Sequence, residues 1–176
     1  MVFKLRHLLI VFSLAVASCT EQKPLEESQD SPVRSPQEEL ATFQIEEGFE
    51  VQLVASEPLV ESPVIIQFDE DGRLWVVEMR GYMSDIEGSE ESLPVGRIAI
   101  LEDFDGDGVM DHRITYLDSL IMPRALGLVR NGALVAENNA LWITKDLDGD
   151  WKADTKILLD STYASNGIPS IPIMAS

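Results

Sequence analysis

The run Asp103-Phe104-Asp105-Gly106-Asp107-Gly108-Val109-Met110-Asp111 sets four carboxylates in a single short stretch, three of them at alternate positions. Such spacing turns hard oxygen atoms into one concavity. Gly108 allows the sharp turn there, and Asp111 closes the cage. Calcium takes six to eight oxygens at flexible distances, and this loop offers four carboxylates plus carbonyls. The stretch is similar to the opening of an EF-hand loop, but lacks the glutamate at the twelfth position and the flanking helices. Four carboxylates this close repel one another strongly without a cation; the plainer alternative is an acidic turn with none. A second run, Asp146-Leu147-Asp148-Gly149-Asp150-Trp151-Lys152-Ala153-Asp154, keeps all four aspartates and places Trp151 where the first has Gly108. If that position needs a positive φ, the indole-bearing residue meets a steric penalty there, so the second loop is the weaker of the two. The expected ligands are therefore Asp103, Asp105, Asp107 and Asp111, then Asp146, Asp148, Asp150 and Asp154, and the expected cofactor is calcium.

The elements that must carry these loops are strands. Phe49, Val51, Leu53 and Ala55 alternate with more polar neighbours, which predicts a half-buried strand. Further strands are predicted over 64–68, 74–78, 97–101, 113–117, 125–129, 133–137, 141–144 and 156–159, with Asp69-Glu70-Asp71-Gly72 as a turn. The pattern repeats. Ile98–Asp103 aligns with Leu141–Asp146 at a spacing of 43, while Pro63 with Pro123, Gly72 with Gly132 and Leu74 with Leu134 stand 60 apart. The difference is absorbed by one insertion around 81–96. Four short strands per repeat of roughly 40 to 50 residues are the requirement of a β-propeller blade. The expectation is an all-β fold, a β-propeller present as an incomplete set of about two to three blades. A sandwich has the strands but no need for the self-similarity. Each acidic loop then joins the third and fourth strands of a blade.

Ahead of the strands lie two segments of other character. Lys4 and Arg6 precede an apolar run from Leu8 to Ala17, too short to span a bilayer and suited to a secretory leader. Val16-Ala17-Ser18-Cys19 resembles a bacterial lipobox, which makes Cys19, the single cysteine, the site of lipidation. Several acyl chains give a stable membrane anchor. From Thr20 to about Ala41 the chain holds Pro24, Pro32 and Pro36 among Ser, Gln and Glu, a composition that cannot offset its ordering entropy. The expected organisation is a leader over 1–18, an acidic tether over 19–42 and a propeller portion over 43–176. The protein is then exported and lipid-anchored to a bacterial membrane, facing the periplasm or cell surface. A net charge of −18 repels phosphate backbones and excludes nucleic acid as a partner.

In a blade, the link between the second and third strands opens at the end opposite the acidic loops. Glu78, Arg80, Tyr82, Arg124, Glu137, Asn138 and Asn166 fall at that end and are the ligand-face candidates. Singly, each is a residue type that is more often solvated. His7 lies in the leader and His112 beside the first acidic loop, so neither is placed as a base on that face.

The strings Gly48-Phe49-Glu50-Val51, Ala55-Ser56-Glu57-Pro58-Leu59-Val60 and Gly72–Tyr82, with the Asp-Gly-Asp loops, resemble a family of exported membrane-bound dehydrogenases. That family is similar to the glucose/sorbosone dehydrogenases, which use pyrroloquinoline quinone. The resemblance covers about 43–167. It implies a propeller of six or so blades, the quinone in its central channel and oxidation of a sugar or alcohol. It also implies a channel-facing His as base and Arg side chains steadying the cofactor. The family pattern continues beyond Gly167 into further blades and a His-containing segment, whereas Ser170–Ser176 fits neither. The expectation is thus the N-terminal part of such an enzyme, inactive alone. The alternative is a non-catalytic, calcium-binding propeller lipoprotein that holds a glycan or a protein.

Overall fold

The computed structural model describes residues 32–162. The leader, Cys19, the first part of the tether and Asn166 lie outside the described residues.

One helical turn, α1 (Pro36–Leu40), falls within the stretch read as tether. Ser35 caps it: the Ser35 hydroxyl accepts from the Glu38 amide, and the Glu38 carboxylate accepts from the Ser35 amide. Pro36 stands at the first helical positions, where no amide is missed. All else of regular structure among the described residues is strand: β1 (Pro63–Phe68), β2 (Leu74–Glu78), β3 (Gly96–Glu102), β4 (His112–Leu120), β5 (Pro123–Val129), β6 (Gly132–Glu137), β7 (Ala140–Lys145) and β8 (Thr155–Asp160). They form two four-stranded antiparallel sheets, ordered β1-β2-β3-β4 and β5-β6-β7-β8. Among the described residues no helix is long and apolar enough to cross a membrane.

The two sheets repeat each other, with one adjustment to the sequence alignment. Pro63 pairs with Glu78, and Pro123 with Glu137. Leu74 pairs with Leu101, and Ala133 with Thr144. The partner of Leu74 in the repeat is therefore Ala133, and that of Trp75 is Leu134. The pairing of Leu74 with Leu134, and of Gly72 with Gly132, is displaced by one residue because the turn from β5 to β6 is a residue shorter. Register in a pleated sheet decides which face a side chain occupies, so the correction moves every residue of β6 to its proper side.

Trp75, Val77, Ile98, Ile100 and Tyr116 of the first sheet meet Ala133 and Val135 of the second in one buried core. The rings of Trp75 and Tyr116 lie 4.6 Å apart, tilted by 60°. The other face of the first sheet, with Leu74, Val76, Ala99 and Leu101, is closed by Val54, Ala55, Leu59 and Val60.

That second cluster explains a correction. Residues 49–55 form no strand, although their polarity alternates. Val54 and Ala55 pack onto a face of the sheet with no strand partner, so the alternation of Phe49, Val51, Leu53 and Ala55 does not mark a covered side. Leu53 and Ala55 are half-buried, while Phe49 and Val51 are exposed.

Candidate functional site

Both acidic loops stand where the strand pattern places them, between β3 and β4 and between β7 and β8. In the first, carboxylate oxygens of Asp103, Asp105 and Asp111 all lie within 4.8 Å of one another. In the second, Asp146, Asp148 and Asp154 do the same. The sequence suggested four ligands in each loop, and the geometry gathers three. Asp107 turns its carboxylate onto the Val109 amide at 2.8 Å. Asp150 accepts from the Lys152 amide and pairs with its ammonium, both at 2.9 Å. These two aspartates brace their own turns.

The backbone organises each triad before any cation is considered. Asp103 accepts from the amides of Gly106 at 2.7 Å and Gly108 at 2.8 Å. Asp146 accepts from Gly149 at 2.7 Å and Trp151 at 3.0 Å. The Gly108 amide, then those of Gly106 and Asp107, hold the Asp103 carboxyl below its ordinary range, against a smaller opposing effect of burial. Gly108 has φ +90° and Trp151 has φ +63°, so the position does demand the left-handed region. Trp151 tolerates it because its ring is held: the Arg73 guanidinium sits 3.8 Å above it, and Trp75 meets it edge-on at 6.4 Å. A Cβ at the Gly108 position would displace the exposed Gln52 amide group, which donates to the Asp107 carbonyl at 3.4 Å.

Each loop is also fastened to the segment that precedes its sheet. The Met110 amide donates to the Val54 carbonyl at 2.8 Å, and the Ala153 amide donates to the Tyr116 carbonyl at 2.8 Å. Met110 and Ala153 are repeat partners. Residues 52–54 thus serve the first loop as β4 serves the second. A cleft of roughly 600 Å³ opens beside the second loop, lined among others by Phe68, Trp75, Trp151, Asp69, Arg73 and Asp146. The sequence did not single out Arg73, whose contact with Trp151 joins the two sheets, or Asp69, which holds Arg73 and Trp75.

At the opposite end, Glu78 and Glu137 are not exposed ligand-face groups. Glu78 is wholly buried. It pairs with Arg97 and with Arg113, the latter at 3.1 Å, and accepts from the Glu61 amide at 2.9 Å. Glu137 pairs with Lys156 and accepts from the Ile121 amide at 2.9 Å. Arg80 pairs with Glu61 at 2.7 Å. Arg124 donates to the Met122 carbonyl at 3.5 Å. Tyr82 lies in the β2–β3 connection and Asn138 in the β6–β7 turn, where both are exposed.

A quinone cofactor of the kind the resemblance implies is a tricarboxylate, and needs cationic groups turned towards it. Here Arg80, Arg97, Arg113 and Lys156 all face carboxylates of the chain itself. His112, the one His among the described residues, hydrogen-bonds Glu102 at 3.1 Å at the other end of the sheet.

No curated protein and no solved structure matches the chain. Residues 35–167 match one family, which is described as a domain of unknown function, DUF7133. Its first residue, Ser35, is the one that caps α1. The matched span takes in both sheets and both acidic loops, and the chain belongs to the DUF7133 family.

Proposed function

We propose that this protein is a calcium-stapled, propeller-type β domain that works as a binding scaffold, exported and held at a membrane by lipid on Cys19. The observation that carries the proposal is the duplicated aspartate triad, with oxygens inside 4.8 Å at equivalent places in two sheets. Three carboxylates at that separation suit a divalent ion with a preference for hard oxygen, and carbonyls or water complete its shell. Two sheets of four antiparallel strands, related by a repeat and packed face on face, support the propeller arrangement over a sandwich. The ion-paired state of Glu78, Glu137 and Arg80 supports a scaffold over a catalyst at the end where a ligand would sit.

The test is thermal unfolding of the full chain with calcium, with magnesium and with chelator. Calcium should raise Tm, with magnesium far less effective. A cation bound to the folded state alone contributes about 2.7 kcal/mol per site at a hundredfold excess over its Kd. Identical curves in calcium and chelator would remove the proposal.

A further inference from the structure

The connection from β2 to β3 breaks the repeat. It runs from Met79 to Val95, whereas its counterpart from β6 to β7 is the turn Asn138-Asn139. A short turn suffices to join these strands, so the fold does not require the longer connection. Its shape is nonetheless fixed from within. The Asp85 carboxylate accepts from the Ser89 amide at 2.9 Å and from the Ser89 hydroxyl, and the Leu93 amide donates to the Glu90 carbonyl at 2.9 Å. Gly81 lets the two ends meet: a Cβ there would stand 2.7 Å from the Glu90 carbonyl oxygen. This ordered loop holds its apolar side chains in water. Ile86 is 95 % exposed and Met83 is 62 % exposed, and Tyr82 and Leu93 are exposed as well. A loop of fixed shape that the fold does not need, with apolar side chains turned to solvent, marks an interaction surface.

The charge of the loop says what covers it. Residues 82–95 carry Asp85, Glu87, Glu90 and Glu91 and no Lys, Arg or His. At the root of the loop a hollow of roughly 390 Å³ is lined by Glu90, Val95 and Arg80 and by Glu57, Pro58 and Glu61 of the segment before β1. Arg80 is taken up by Glu61 at 2.7 Å, which leaves Glu57 and Glu90 without a cation among the described residues. We propose that this loop is the docking element for a basic partner protein. A Lys or Arg of the partner enters the hollow between Glu57 and Glu90, and its apolar side chains cover Ile86 and Met83. A second copy of this chain is the wrong partner. At a net charge of −18 its surface repels the loop, and its own exposed Ile66 and Phe68 are followed by Asp69, Glu70 and Asp71. Residues 163–176 hold no cation either. A membrane is excluded because Asp85 and Glu87 flank Ile86 and would enter the bilayer with it. The inference names a partner for the scaffold reading and rests on it, but it makes no use of the cation at the triads.

The experiment titrates the full chain, with calcium present, against synthetic peptides of equal length: one of Leu and Lys, one of Leu and Glu, and one of Ser and Lys. Calorimetry should detect binding of the Leu/Lys peptide alone, and added salt should weaken it. Ile86→Ser should weaken that binding about tenfold, as loss of an apolar anchor does, and Glu90→Gln about threefold, the worth of a surface ion pair. Phe49→Ser, which removes an exposed ring outside the loop, should leave it unchanged. Circular dichroism checks that each variant is folded, and all three substitutions fall on exposed side chains. Absence of binding by the Leu/Lys peptide would overturn the proposal. So would equal binding of the Ser/Lys peptide, which reduces the effect to net charge, or of the Leu/Glu peptide, which reduces it to apolar contact. Equal weakening by Phe49→Ser and Ile86→Ser would show that any exposed apolar residue serves. A dimer in sedimentation that Ile86→Ser breaks would make a second copy the occupant. Because calcium is present throughout, failure of the cation test and failure of this one are separate results.

Discussion

Glu78 and Glu137 perform one task in two sheets: each takes an amide of the connection that enters its sheet and a cation from the sheet's fourth strand. For Glu78 these are the Glu61 amide and Arg113; for Glu137 they are the Ile121 amide and Lys156. Glu78 adds Arg97. The carboxylate so ties the start of a sheet to its far edge, in a site where an unmatched charge is costly. Glu78→Gln should destabilise the fold by about 3 kcal/mol, since it takes the counterion from Arg113 and leaves Arg97 with Glu61 alone. Glu137→Gln, which leaves one more exposed ammonium, should cost about 1 kcal/mol. Denaturant unfolding measures both, and equal costs would contradict the latch.

Trp151 is the residue where strain and packing oppose each other. Its φ of +63° favours glycine, and relief of that strain is worth about 1 kcal/mol. Against this stand the contacts with Arg73 and Trp75 and its place in the inter-sheet core. Loss of a large, partly buried aromatic costs more, on the order of 3 kcal/mol. Trp151→Gly should therefore lower stability by about 2 kcal/mol, the balance of these two effects. A variant more stable than wild type would show that backbone strain dominates.

The strands and both loops were legible because they depend on local signals, namely short apolar runs bounded by turns in β2, β3 and β6 and the Asp-Gly-Asp turns. Residues 49–55 were misread because their alternation matches no covered side: Phe49 and Val51 are exposed, and adjacent Val54 and Ala55 both pack onto the sheet. Glu78 and Glu137 were read as ligand-face candidates because position along a strand says which end a residue lies at and nothing of the cations that meet it. What buries Glu78 is Arg113, 35 residues further along. The division of each loop into three gathered aspartates and one brace was equally hidden, since it turns on which amide each side chain meets.

Acid should weaken the contact between the β1–β2 turn and its strand through Asp69. Burial raises the Asp69 pKa, but the Trp75 indole, the Arg73 amide and guanidinium and the Asp71 amide outweigh it, so the folded value lies below the ordinary 3.8. A carboxyl depressed in the folded state contributes stability that is present above its unfolded pKa. That stability is lost as pH falls through the lower, folded value. The loss should therefore begin below about pH 4 and be absent near neutrality. Asp69→Asn should flatten this acid limb in unfolding curves taken from pH 7 to pH 2; a variant with the same limb as wild type would assign it to other carboxylates.

The sharpest test of the triads compares neighbours within one loop. Asp103 and Asp107 are both acidic, both in the same turn and four residues apart. Asp103 belongs to the gathered set, whereas Asp107 is turned onto the Val109 amide. Isothermal titration with calcium should find one of two sites lost in Asp103→Asn and both kept in Asp107→Asn. Loss of a carboxylate ligand at an oxygen site weakens a cation far more than removal of a nearby charge, which at the surface counts for about 1 kcal/mol or less. Asp146→Asn and Asp150→Asn repeat the comparison in the second loop, where Trp151 replaces Gly108. If all four substitutions weaken calcium alike, the loops act as diffuse acidic patches and the division into ligands and braces fails.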